Sequence, residues 1–215
     1  MRRADSRRWA SSVARCGASA TGAVTAVAAL AADRRAPSPS LAGPSTLSGR
    51  ALELGVTFWD TAPRYNNASG NSERVIGEWF NANPDQRRNI VIATKVYGGM
   101  DGLTPNHCRL TRGNLKESVY ASLERMQIDT IDLLYLHHYD PITPPEETFS
   151  ALEDLIEDDL VRYLAISNFS IDQFKLYQSM ELAFSPRSRI LAVQNQYDML
   201  RGEHADYPGV LDFTR

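Results

Sequence analysis

The sequence predicts an α/β fold in which parallel strands curl into part of a TIM (β/α)8 barrel. Three observations predict it. From residue 51 onward, short apolar, β-branched runs alternate with segments of helical periodicity, the pattern of repeated strand–helix units. The runs are apolar almost throughout instead of alternating with polar residues, as in a parallel sheet covered on both faces. No G-x-G-x-x-G follows the first run, which removes the phosphate-binding turn of a doubly wound dinucleotide-binding sheet and favours the barrel.

The elements follow in order. Ala51–Leu54 reads as the last turn of a helix with Gly55 as its C-terminal stop. Val56–Asp60 is a short strand. Ser72 stands where it can cap a helix carrying Val75, Ile76, Trp79 and Phe80 on one stripe. Asn89–Val96 is a buried strand, and Leu115, Val119, Leu123 and Met126 recur at helical spacing. Ile131–His137 is the third strand, and Phe149, Leu152, Leu155 and Ile156 mark the next helix. Tyr163–Ser167 is a strand. Ser170 with Gln173 forms a capping box for a helix through Phe174 and Tyr177. Leu191–Tyr197 closes the series as a fifth strand.

The chain has 215 residues and a net charge of -3, a balance that argues against nucleic acid as a main partner. A complete barrel of this kind needs about 250 residues. Charge is unevenly spread. Residues 1–50 hold eight Arg against two acids, a balance of +6, while the remainder holds 15 basic against 24 acidic groups, a balance of -9. The first fifty residues form an Ala/Arg/Ser-rich segment of low complexity without sustained periodicity, and the domain is expected over 51–215. Three readings of residues 1–50 stand open: a targeting peptide, a disordered tail, or a displaced start, which the strand count favours. The apolar stretch Ala18–Ala32 is too short and too weak for a membrane span. Cys16 and Cys108 have no C-x-x-C spacing, so neither a disulfide framework nor a metal site is expected, and a reduced, cytoplasmic protein is.

Polar residues gather at one end of the strands. Asp60 ends the first and Tyr65 follows in its loop, Lys95 lies near the end of the second, His137 ends the third, Ser167 and Asn168 end the fourth, and Gln194 lies in the fifth. In a parallel barrel these ends share one mouth, where barrel enzymes place their chemistry. Each has an ordinary structural reading as well: a surface tyrosine, a packed histidine, a turn and cap at Ser167-Asn168. Lys95 stands out, because lysine inside an apolar run needs an anion. Asp60 is the natural one, unless Lys95 snorkels to water at the rim. His137 and His138 are adjacent, so on a strand they face opposite sides. The alternation leaves open which one faces the mouth.

At these residues the chain resembles the aldo-keto reductases, in particular the branch with potassium-channel beta subunits and microbial reductases. Phe58-Trp59-Asp60-Thr61-Ala62-Pro63-Arg64-Tyr65, Ile92-Ala93-Thr94-Lys95, Asp132-Leu133-Leu134-Tyr135-Leu136-His137, Ile166-Ser167-Asn168-Phe169 and Val193-Gln194-Asn195-Gln196-Tyr197 carry the likeness, with the Leu110-Thr111-Arg112 loop pointing to the branch. The resemblance implies an oxidoreductase that reduces aldehydes or ketones with NADP(H) and a small-molecule carbonyl substrate. It assigns Asp60, Tyr65, Lys95 and His137 to catalysis, with Tyr65 as general acid, its pKa lowered by the Lys95 ammonium. Ser167, Asn168 and Gln194 would hold the nicotinamide carboxamide. No residue here reads the 2′-phosphate, so NADP over NAD rests on the resemblance alone.

The resemblance covers about strands two to six of eight. Residues 1–50 do not read as the first strand, and the last two would follow Arg215. A barrel removes sheet edges only by closing, so an incomplete barrel of low stability or activity is expected. Two alternatives are a nucleotide-binding regulatory subunit that senses redox state, and a fragment without enzymatic activity.

Overall fold

The computed structural model describes residues 44–65, 70–99, 107–181, 183–184 and 186–214. Most of the 1–50 segment therefore lies outside the described residues. Five parallel strands form one sheet in chain order: β1 (Phe58–Asp60), β2 (Val91–Val96), β3 (Ile131–Leu136), β4 (Val161–Ser167) and β5 (Ile190–Gln194). Between them run α2 (Asn71–Ala82), α3 (Arg112–Met126), α4 (Pro145–Glu157) and α5 (Ile171–Glu181), preceded by α1 (Pro44–Glu53). The sheet is curled into a half-barrel, so the predicted partial TIM barrel is the fold observed.

The pleat divides the side chains between two faces. Ala93, Leu133, Tyr135 and Ala165 form one cluster with Phe58, Tyr163 and Ala192, and register pairs them across the strands: Ala93 with Leu133, Leu133 with Tyr163, Tyr135 with Ala165, Ala165 with Ala192. This is the concave face. On the other face Trp59, Ile92, Val96, Leu134, Leu136, Leu164 and Ile166 meet the helices in the large core. Both faces of the inner strands β2 and β3 are thus covered, which is why those runs look continuously apolar, whereas no residue of β5 is fully buried and Leu191 is exposed. Trp59 anchors this outer layer, its ring 4.8 Å from Trp79 in an edge contact and 5.8 Å from Phe80 in a stacked one.

Helix boundaries follow local chemistry, with one correction. Gly55 ends α1 with φ +80. The capping box is present: the Ser170 N–H donates to Gln173 Oε1 at 2.9 Å and the Gln173 N–H to Ser170 Oγ at 3.4 Å. Ser72, however, is not the cap of α2. The N-cap is Gly70, in the left-handed region without a side-chain bond. Ser72 lies inside the first turn, and its hydroxyl accepts from Thr61 Oγ1 at 2.8 Å. The fifth strand also differs from expectation: it ends at Gln194, and Tyr197 belongs to a separate two-stranded antiparallel hairpin, β6 (Tyr197–Asp198) with β7 (Gly202–Glu203). A last short helix, α6, spans Val210–Phe213.

α2 and α3 cross closely at Gly77. A Cβ built there would stand 2.3 Å from the Arg125 carbonyl oxygen and 2.9 Å from the Met126 carbonyl carbon, so the crossing requires a glycine.

No helix among the described residues is long and apolar enough to cross a membrane.

Candidate active site

The residues at the C-terminal strand ends meet. Asp60 closes β1 and Lys95 is the penultimate residue of β2, both pointing to the concave side. β1 and β2 are neighbours in register, with Asp60 opposite Ala93, so Lys95 reaches past the end of β1. Its Nζ lies 2.7 Å from each Asp60 oxygen, 3.0 Å from the Thr61 carbonyl oxygen and 2.8 Å from Tyr65 OH. The Lys95 side chain is 1 % exposed and that of Asp60 4 %. Lys95 is therefore a paired, buried cation and does not snorkel to water. Tyr65 OH also lies 3.4 Å from Asp60 Oδ2, and Gln194 Nε2 donates to the same oxygen at 3.3 Å. The ammonium stands 4.9 Å from the Tyr65 ring centroid and 5.4 Å from that of Tyr135.

His137 follows the last residue of β3 and is partly buried, whereas His138 is exposed. The expectation that these two face opposite sides does not hold. Strand alternation stops at Leu136, and the two imidazoles stack with centroids 5.0 Å apart and planes 21° from parallel. Tyr97 packs edge-on against His138 at 5.3 Å. Burial, then the Lys95 charge, hold His137 at a pKa of about 3. It is neutral at ordinary pH and lies within electrostatic range of Lys95. Its backbone is fixed at both ends, the N–H donating to Val96 O at 2.9 Å and the carbonyl accepting from Asn168 Nδ2 at 2.8 Å.

Ser167 and Gln194 are register partners at the ends of β4 and β5. Asn168 has φ +59, one of four described non-glycine residues with positive φ, and its Nδ2 donates to Ser167 Oγ at 3.1 Å. The left-handed turn is what brings its carboxamide back to the strand ends.

One electrostatic expectation is overturned. Tyr65 does not have its pKa lowered; burial first, and then the Asp60 carboxylate, raise it above the usual phenol range. The Lys95 charge is already matched by two Asp60 oxygens at 2.7 Å, so the partly buried phenol faces a neutralised pair, which disfavours phenolate. Lys95 itself is shifted down by burial, an effect that Asp60 opposes.

Several participants were not singled out from the sequence. The Thr61 carbonyl completes the coordination of Lys95, and the Tyr135 ring lies beside it. Glu73, fully buried, accepts from Thr94 Oγ1 and Arg125 Nε, each at 2.6 Å. A signal for Glu73 existed, since it falls three residues before Ile76 and seven before Phe80, on the apolar stripe of its helix. No group of three or more His, Cys, Asp or Glu placed to hold a metal ion occurs among the described residues.

The parallel half-barrel thus brings a buried Asp–Lys pair and a partly buried Tyr together at the strand ends. The family model of the Aldo/keto reductase family matches residues 46–215, and the chain belongs to that family. It is 33 % identical over 175 residues to the aldo-keto reductase AMT2 of Alternaria alternata, which covers 71 % of this chain and 47 % of the relative. It is 37 % identical over 127 residues to the uncharacterized oxidoreductase YrpG of Bacillus subtilis, covering 56 % and 38 %. A protein of Schizosaccharomyces pombe named as a candidate voltage-gated potassium channel subunit beta is 32 % identical over 155 residues, covering 72 % and 44 %. The chain spans about half the length of the curated relatives it matches.

Proposed function

We propose that this chain contributes the acid–base centre of an NADPH-dependent reduction of aldehydes or ketones to alcohols. The observation that supports this best is the contact of 2.8 Å between Lys95 Nζ and Tyr65 OH, with the lysine gripped by Asp60. When bound, NADPH supplies the hydride that the carbonyl carbon takes up. Tyr65 gives its proton to the carbonyl oxygen, leaving a phenolate that solvent reprotonates. The raised pKa of the free site keeps Tyr65 protonated and ready to donate. The cost of forming phenolate is met in the transition state, when the hydrogen bond from Lys95 to the oxygen strengthens as charge develops on it. His137, neutral, offers a ring nitrogen to orient the substrate carbonyl.

The donor set suits a nicotinamide. Its carboxamide presents one acceptor and two donors, and Ser167, Asn168 and Gln194 offer a hydroxyl and two amides at adjacent strand ends. Held there, the ring is fixed in orientation, and such positioning contributes strongly to rate.

The test is Tyr65→Phe. Carbonyl reduction is lost while NADPH binding, followed by fluorescence, survives. A variant with full activity refutes the role.

The likeness to a protein named for a potassium channel subunit favours a second reading, a nucleotide-binding module that senses redox state and turns over slowly. Single-turnover hydride transfer to benzaldehyde separates the two: a fast step supports the reductase, and binding without transfer supports the sensor.

A further inference from the structure

We propose that Ser72 and Glu73, in the first turn of α2, are positioning residues for Lys95: from the helix side of the sheet they hold the two chain segments that fix its ammonium. The inference rests on the reading that Lys95 serves Tyr65.

Lys95 is held by Asp60, Tyr65 and the Thr61 carbonyl. The Thr61 peptide is itself held twice, its N–H donating to Ala93 O at 2.9 Å and its Oγ1 to Ser72 Oγ at 2.8 Å. On the other side, Thr94 immediately precedes Lys95, and its Oγ1 donates to Glu73 Oε1 at 2.6 Å. Strand alternation puts Thr94 on the outer face and Lys95 on the inner one, so the hydroxyl bond pins the strand from behind the lysine. Glu73 Oε2 accepts from Arg125 Nε at 2.6 Å, and Arg125 Nη2 donates to Ser122 Oγ at 3.1 Å. The network therefore runs from the last turn of α3 through α2 to both segments around the ammonium.

Thr61, Ser72, Glu73 and Thr94 have no exposure. Burying an ion pair is costly, and a plain staple between helix and sheet could be made of apolar side chains. Here two consecutive residues instead reach the two segments that flank Lys95. Glu73 also favours the charged form of Lys95 through the strand. Glu73 is itself paired with Arg125, and its direct contact with the lysine strand is the hydrogen bond from Thr94. Gly77 lets α2 lie directly on the Arg125 backbone, which makes the support stiff.

The test uses the whole chain with Thr94→Val, Thr94→Ser and Ser72→Ala. It reads kcat and KM for benzaldehyde with NADPH, and the side-chain NMR resonance of Lys95, assigned by its loss in Lys95→Met. In Thr94→Val, kcat falls about tenfold at constant KM, the scale of a small misplacement of a reacting group, and the Lys95 resonance moves toward those of exposed lysines. Thr94→Ser restores both, and Ser72→Ala moves the resonance in the same direction as Thr94→Val. Wild-type kcat and an unmoved resonance in Thr94→Val and Ser72→Ala, with only Tm lowered, overturn the proposal. Should Thr94→Val not fold, Ser72→Ala decides by the same resonance. Lys95→Met with wild-type turnover would instead refute the role of Lys95 in reduction. Loss of turnover in Lys95→Met beside normal Thr94→Val and Ser72→Ala refutes the positioning role alone.

Discussion

The Lys95 ammonium sits equally close, at 2.7 Å, to both oxygens of Asp60. The pair links two neighbouring strands across 35 residues of sequence. Each charge is buried, so each depends on the other. Asp60→Asn keeps the shape and removes the charge. It leaves Lys95 without its contacting carboxylate and costs about 3–5 kcal/mol, the usual penalty for breaking a buried pair from one side. Adding Lys95→Met to it recovers part of the loss, because the two residues share one interaction. Urea unfolding of the two single variants and the double variant checks this, and simple additivity would contradict it.

Tyr65 resists ionisation. Burial and Asp60 raise its pKa, so in an alkaline ultraviolet titration it is among the tyrosines, with buried Tyr135 and Tyr177, that stay protonated well beyond the ordinary phenol value of about 10. The difference between wild type and Tyr65→Phe isolates it. A difference spectrum that titrates below that value would restore the expectation that Lys95 acidifies the phenol.

His137 makes folding sensitive to acid. Its pKa is about 3 in the folded protein against an ordinary 6.5. Between these values the unfolded chain takes up a proton that the folded one does not, so stability rises with pH across the window. It is fully present above pH 6.5, falls as pH drops below it, and loses nothing more from this group below about 3. Substituting His137→Phe removes this contribution. Equal slopes of stability against pH for the two proteins between pH 4 and 6 would count against it, where both are about half a unit or more inside the window.

Gly77→Ala destabilises the protein although it lies inside a helix. Propensity alone favours alanine by about 1 kcal/mol. The new Cβ would meet the Arg125 carbonyl oxygen at 2.3 Å, backbone that cannot step aside, and overpacking of this kind costs about 1–3 kcal/mol. Tm falls. A higher Tm would mean that α2 and α3 can separate freely.

Much of the fold was legible because its signals are local. The apolar runs, the helical stripe of Val75, Ile76, Trp79 and Phe80, and the Ser170–Gln173 box each lie within a few residues, and each produced its element. Ser72 misled because a serine before an apolar stripe has the composition of a cap, while Gly70 could adopt the left-handed conformation two residues earlier. The histidines misled because alternation holds only inside a strand, and β3 ends at Leu136.

The residues of the candidate site could be named from their order along the chain and from their place at strand ends, since a parallel sheet sends every such end to one side. Their chemical state could not. It depends on distances between segments as far apart as Asp60 and Gln194, 134 residues away. Whether Lys95 acidifies Tyr65 or is neutralised by Asp60 depends on how two carboxylate oxygens, one ammonium and one phenol share one small space, and proximity in sequence does not encode that. The support from Glu73 through Thr94 became visible for the same reason, when the packing of α2 on the sheet put a buried carboxylate behind the strand that carries the lysine.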